Sequence, residues 1–287
     1  MLNTIRETIE QKLGITNAKK DVIASAVIEK PTEFSGRYRN WRANDDLNNY
    51  PFVVNVHAPF APARRALPML NLALISSAGA YINGTAAFDI TARDGDATAR
   101  EIPVEVEAAD LLYAARGYDP AAIRADMNAQ IPVERLLEYQ GNGVIGKLND
   151  VWWSVSGWIP NARLVADTLA PQLVERLTRY QVQAALLIPA SRLCHQTLGI
   201  VARALEMANV PTIMLSVDGV IIDRVRPPRT AFYAGEFGSV AGKPNWKQHQ
   251  LRILDETLRW IETFDQPGAR KLAVKLETEV EQERGEQ

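Results

Sequence analysis

Three largely apolar runs punctuate the chain: Leu70 to Ile75, Val182 to Ile188 and Pro211 to Val217. None alternates apolar with polar positions, so each reads as a strand covered on both faces. Between and after them the spacing changes to that of helices. Leu164, Val165, Leu169, Leu173, Val174 and Leu177 trace one helical face from Arg163 to Tyr180, with Pro171 inside it predicting a kink or restart. "HQTLGIVARALEMANV" is helical, and Leu251, Leu254, Leu258 and Ile261 line a long amphipathic helix in "NWKQHQLRILDETLRWIETF". "DGVIIDRV" reads as an extension of the Pro211 strand. Earlier, "ADLLYAARGYDP" offers a short strand and loop, "VERLLEY" a helix, and "GVIGKLNDVWWSVSGWIPN" a mixture of strand and loop. "FDITARDGDATAREI" reads as an exposed excursion turning at Asp94-Gly95.

Strands separated by helices imply right-handed crossovers and parallel pairing. The expected fold is α/β: a predominantly parallel, Rossmann-like sheet with helices on both faces and the three apolar runs as neighbouring central strands. An N-terminal arm, residues 1–67, precedes it. Ile5, Ile9 and Leu13 predict helix there, whereas residues 32–67 are irregular and rich in proline and aromatic residues. Such an arm either wraps its own core or contacts another copy. The α/β core is expected over residues 68–266, and residues 267–287 as a charged, solvated tail.

Charge and cysteine content narrow the function classes. The 287 residues carry 32 Lys plus Arg against 34 Asp plus Glu, so no net field favours nucleic acid or an anionic membrane. The N-terminal segment "MLNTIRETIEQKLG" lacks the apolar run of a signal peptide, and no segment reaches the roughly 18 apolar residues of a membrane span. A cytoplasmic protein is expected. With one cysteine, no disulfide framework forms within one subunit.

That cysteine, Cys194, lies in "PASRLCHQTLG", between a buried strand and the following helix. Ligands of open parallel sheets bind beyond the C-terminal strand ends. With Ser191 as the helix cap, Cys194 falls in the first helical turn, where backbone N–H groups and the helix dipole depress a thiol pKa. The alternative is a buried cysteine acting as a small hydrophobe. His195 is adjacent in sequence, but helix neighbours point about 100° apart, so His57 and His249 are equal candidates for a base. The remaining candidates are substrate-binding: Ser76, Ser77 and Gly79 in "SSAGAYING", Tyr81, Asp119, and Arg229 at the end of the rigid "RPPR" turn. Trp152, Trp153 and Trp158 form either an aromatic wall or core. Three scattered histidines lack metal-ligand spacing, leaving convergence with Cys194 in space as the route to a metal site. No tightly bound cofactor is expected.

Taken together, "LALISSAG", "FDI" with "DGD" and "REIP", "GYD", "IPVERLLEY" with "GVIG", "LCHQTLGIVARALEMANVPT" and "PPR" resemble the selenoprotein B family of glycine, sarcosine and betaine reductases and D-proline reductase. The resemblance runs from about Leu70 to Leu258. It implies anaerobic reductive cleavage of an amino-acid-like substrate, in which a selenolate or thiolate attacks a substrate activated by a pyruvoyl-bearing partner. The family's motif is selenocysteine or cysteine, two residues, then cysteine. Cys194 matches its second sulfur, and Ser191 stands at the redox-active first position, where it cannot form a disulfide. Tyr81 replaces a histidine usual after the first strand, and another before "GYD" gives way to Ala114, Ala115 and Arg116.

The sequence therefore points to a divergent glycine or proline reductase-like enzyme using Cys194, His195 and Ser191 on a small amino-acid-like or nitrogen-containing metabolite. It would act as a homo-oligomer, with a pyruvoyl-bearing subunit or a thiol reductant as further partners. A metal-assisted lyase or hydrolase, and a non-catalytic metabolite-binding or assembly subunit, are the alternatives.

Overall fold

The computed structural model describes residues 49–274; the helical reading of residues 1–30 and most of the tail lie outside them. The three apolar runs become β1 (Asn71–Ser76), β7 (Ala184–Ile188) and β8 (Thr212–Ser216). They are parallel neighbours in the centre of one sheet, with Leu74 opposite Leu186 and Leu187 opposite Met214. The other strands are β2 (Ala80–Ile82), β3 (Ala99–Pro103), β4 (Leu111–Tyr113), β5 (Lys147–Leu148), β6 (Val151–Val155), β9 (Arg229–Phe232) and β10 (Gly268–Lys271). The main sheet runs β10-β9-β8-β7-β1-β6-β3, with β5 also pairing β1. All its pairings are parallel except that of the edge strand β3 with β6. β2 and β4 form a separate antiparallel ladder.

The helices are α1 (Ala121–Ala125), α2 (Val133–Gly141), α3 (Ala170–Arg179), α4 (Arg192–Met207), α5 (Gly219–Val225) and α6 (Lys247–Thr263). The continuous apolar runs are explained by burial on both faces. Leu72 and Leu74 join Leu136, Ile253, Leu254 and Leu258 in one core layer. Ala73 and Ile75 join Leu169, Leu173, Leu198 and Leu205 in the other. Helices α2 and α6 thus cover one face, and α3 and α4 the other.

Three local expectations are refined. The segment before Pro171 forms a helical turn at Ala162–Leu164 and a π-helical turn at Val165–Leu169, in which the Ala170 N–H reaches back to Val165 O. Proline has no N–H and its ring crowds the carbonyl four residues back, so the ladder widens by one residue ahead of it. "DGVIIDRV" forms the short helix α5 instead of extending β8: Asp218 accepts hydrogen bonds from the N–H groups of Val220 and Ile221, and so caps a helix. The start of the expected solvated tail contributes the exposed edge strand β10.

The described part of the arm wraps its own core as a strap along α4. Val53 N–H donates to Gln196 Oε1 (2.8 Å), Asn55 N–H to Val225 O (2.8 Å) and Ala61 N–H to Glu206 Oε2 (2.5 Å). Among the described residues no helix is long and apolar enough to cross a membrane.

Candidate functional site

From β1 the chain moves to β6 on one side, then returns to β7 on the other. The strand order therefore reverses at β1, and its C-terminal end is the switch point where open α/β sheets place ligands. The Cys194 side chain sits there. Its sulfur lies 3.3 Å from Gly157 O, beyond β6, and 3.7 Å from Ser77 O, just beyond β1. Ser191, after β7, caps α4: its backbone is extended, its hydroxyl accepts the Cys194 N–H (3.4 Å) and donates to the Cys194 sulfur (3.1 Å). Three loops leaving three adjacent parallel strands thus converge on one thiol.

The site is closed. Cys194 is 1% exposed, and burial pushes its thiol above the usual range while the Ser191 hydroxyl opposes. This corrects the expectation of a depressed thiol pKa: helix-terminus stabilisation acts here in a dehydrated setting. The loop from Ala114 to Asp119 roofs the thiol. At Gly117 (φ +85) a Cβ would stand 3.4 Å from Ser191 Oγ. Tyr118 donates to Ala78 O (2.6 Å), and its ring edge lies 3.7 Å from where a Cβ on Gly157 would project. Burial raises the phenol far above its ordinary range, so it stays protonated. Within "GYD" the sequence marks the charged Asp119 and gives no signal for Tyr118; the fold turns the ring, not the carboxylate, inward.

His195 does not serve Cys194. Its Nδ1 is 2.8 Å from Ser191 O and its Nε2 is 2.7 Å from Ser216 Oγ. A carbonyl only accepts, so Nδ1 carries the proton and the Ser216 hydroxyl donates to Nε2. Burial holds the imidazole down at about 4, and the ring stays neutral at pH 7. Of the other two histidines, His57 is exposed on the strap. His249, on the α6 side of the sheet, stacks on Trp246 with Nδ1 accepting the Lys243 N–H.

The predicted binding residues divide. Ser77 is in the site: its carbonyl faces the sulfur and its hydroxyl accepts the Ala190 N–H (3.0 Å). Gly79 (φ +66) lets the chain turn against the roof loop, since a Cβ there would meet Ala114 O at 2.6 Å. Ser76 ends β1 with a fully buried hydroxyl that has no partner, as does its register partner Ser154. Tyr81 lies on the β2–β4 ladder opposite Leu112, and Asp119, exposed just before α1, accepts the Ala121 N–H (2.9 Å). Arg229 is placed elsewhere altogether. It forms a buried ion pair with Glu206, near the far end of α4, donates to Ala61 O and packs on Phe60. Twelve residues of helix separate Glu206 from Cys194, about 18 Å. Trp152 and Trp153 are core residues, and Trp158 packs with Tyr50 and Leu193 beside the site.

An open groove of about 570 Å³ lies away from the thiol, between β3 and α3. Its charges are largely paired, Arg176 with Glu101 and Arg179 with Glu175. The chemistry-bearing groups are at the switch point, not there. Among the described residues no three His, Cys, Asp or Glu side chains converge as metal ligands.

Sequence comparison finds relatives of this chain. The family model described as glycine/sarcosine/betaine reductase selenoprotein B matches residues 95–190. The D-proline reductase subunit gamma of Acetoanaerobium sticklandii is 24% identical over 209 residues, covering 73% of this chain and 85% of that protein. The glycine reductase complex component B subunit gamma of Symbiobacterium thermophilum is 33% identical over 100 residues, 34% of this chain and 22% of that one. The betaine reductase complex component B subunit beta of Peptoclostridium acidaminophilum is 26% identical over 99 residues, again 34% and 22%. No solved structure matches. The chain is thus similar over residues 95–190 to the glycine/sarcosine/betaine reductase selenoprotein B family, and over a longer stretch to a D-proline reductase subunit.

Proposed function

We propose that this protein is a divergent reductase-like enzyme subunit that cleaves a carbon–heteroatom bond in a small amino-acid-like or nitrogen-containing metabolite, with Cys194 as its nucleophile or acid/base group. The observation that carries this reading is the convergence of Ser77, Gly157 and Ser191 on the Cys194 sulfur at the β1 switch point. A buried thiol with a hydroxyl donor at 3.1 Å is stabilised as a thiolate once a substrate or partner brings positive charge near it. Reduction needs two electrons. A single cysteine cannot supply them by closing a disulfide within the chain, so an external thiol or a partner subunit is the source. Ser191 is a positioning residue: it caps α4 and holds the sulfur. His195 keeps the first turn of α4 attached to β8 through Ser216.

A second reading, a non-catalytic metabolite-binding or assembly subunit, is favoured by two features: the resemblance puts Ser191 at the redox-active position, and burial pushes the thiol toward its inert, protonated form. An anaerobic turnover assay with a dithiol and D-proline, glycine, sarcosine or betaine separates the two. It is run with the chain alone, with a pyruvoyl-bearing partner, and with Cys194→Ser. Turnover lost on Cys194→Ser supports the enzyme; folded Cys194→Ser supporting full turnover of the complex sinks it and leaves the assembly role.

A further inference from the structure

The roof loop carries a cation with no carboxylate of its own. The Arg116 guanidinium lies over the Trp158 ring, 4.0 Å from its centroid, and Nη1 donates to Ile90 O. Among the described residues no Asp or Glu pairs with it, whereas Arg176, Arg192 and Arg229 each hold a carboxylate. A guanidinium has five N–H donors in a planar fork, so most of this fork is available, and stacking on Trp158 fixes its plane. The Arg116 backbone belongs to the site: its carbonyl lies 3.4 Å from where a Cβ on Gly157 would stand, and the Gly157 carbonyl holds the thiol.

A separate observation concerns two buried polar groups, one at the C-terminal end of β1 and one in the neighbouring β6. The hydroxyls of Ser76 and Ser154 are fully buried and without hydrogen-bond partners. Strand alternation puts them on the face of Leu74 and Trp152, the layer that includes Ala190 and against which Tyr118 packs. Buried hydroxyls left unpaired are costly, so a ligand or water hydrogen-bonding to them is favoured.

We propose that Arg116 anchors the carboxylate of the substrate in the Cys194 site, with the Ser76 and Ser154 hydroxyls meeting its other polar groups. This rests on the reading of Cys194 as the reacting group and deepens it: the substrate is a small carboxylate held by charge-assisted hydrogen bonds. It also replaces Arg229, which the fold commits to Glu206.

Because Cys194 is the chain's one cysteine, every alkylation event reports on this site. The probes are iodoacetate and iodoacetamide: in each the thiolate sulfur displaces iodide from a CH2 carbon, its proton going to solvent. Only iodoacetate carries a carboxylate. Labelling rates are measured by mass spectrometry on the intact protein, on Arg116→Gln and on Arg116→Lys, with glutathione giving the ratio for an unstructured thiol. The expected result is an iodoacetate-to-iodoacetamide ratio about tenfold above that of glutathione. Arg116→Gln should return it to the glutathione value with the iodoacetamide rate unchanged, and Arg116→Lys should keep part of it. Glycine should protect the native protein against iodoacetate and not protect Arg116→Gln. A native ratio equal to that of glutathione, or one unaltered by Arg116→Gln, overturns the anchor and leaves Cys194 as the reacting group. Absence of labelling by either reagent in the folded protein overturns the reading of Cys194 itself, and the anchor with it. Should Arg116→Gln fail to fold, Arg116→Lys and the glycine protection of the native protein decide by the same criteria.

Discussion

At Cys194 two physical effects oppose each other, and their sizes decide the outcome. A helix N-terminus contributes about 0.3–1 kcal/mol toward the thiolate, up to about 2 in partly buried geometry. Full burial shifts ionisable groups by as much as about 3–5 pKa units the other way. Burial wins, and the thiol is held protonated at neutral pH. Iodoacetamide should therefore label native Cys194 more slowly at pH 7 than it labels glutathione, on the order of tenfold, and the rate should still be climbing above pH 9; a rate above that of glutathione would show a thiolate. Cys194→Ser should leave the melt nearly unchanged, within about 1–2 kcal/mol, because the Ser191 hydroxyl and Gly157 carbonyl offer partners to the new hydroxyl.

His195 gives a pH signature with the same origin. Its folded pKa is lowered by burial from 6.5 to about 4. As pH falls through 6.5 the unfolded chain takes up a proton that the folded chain refuses. The stability that this group contributes is complete above pH 6.5, declines between 6.5 and 4, and is constant below; the full change is roughly 3 kcal/mol. Urea denaturation at pH 7, 5.5 and 4 should show a steeper decline in the native protein than in His195→Gln, and equal slopes would contradict a neutral buried imidazole.

Among the elements, α4 joins site and scaffold. Its first turn holds Cys194 and its last turns hold Glu206, which accepts from Ala61 N–H, Thr212 N–H and Oγ1, and Arg229. This cluster pins the strap to β8 and β9. Removing one member leaves a buried charge uncompensated, so Arg229→Met should cost about 3–5 kcal/mol in urea denaturation while Cys194 labelling of the folded fraction is unaltered. A cost below 1 kcal/mol would mean that the pair is solvated. Asp218, which caps α5 and accepts from Arg192, should cost about 1 kcal/mol on replacement by alanine. A strand in place of α5 would not register that change.

At the level of the whole molecule, both sheet faces are covered at the centre and open at the edges. Hydrogen exchange should be slowest in β1, β7 and β8, where side chains are almost fully buried, and fastest in the exposed edge strand β10. Uniform protection across the sheet would contradict this layering. The same coverage closes the thiol site: strap, roof loop and the Trp158 segment all pack around it. The proposed role of Cys194 therefore requires the roof loop to open in the folded chain.

The sequence by itself determined the sheet, since continuous apolar runs and helical spacing record burial on two faces, a property of each segment alone. It also located Cys194 and its Ser191 cap, because a cap followed by a helix after a buried strand is a local pattern. What only the tertiary structure decided involves groups distant in the chain. Arg229 read as a free cation until Glu206 and Ala61, 23 and 168 positions away, were brought to it. "DGVIIDRV" has β-branched content suited to a strand, yet the Asp218 cap and packing against α4 made it helix. Tyr118 was brought to the thiol only when its loop was laid over Ser191. The thiol's ionisation was decided the same way: the local dipole is written in the sequence, but the exclusion of water that overrides it comes from three loops closing over one atom.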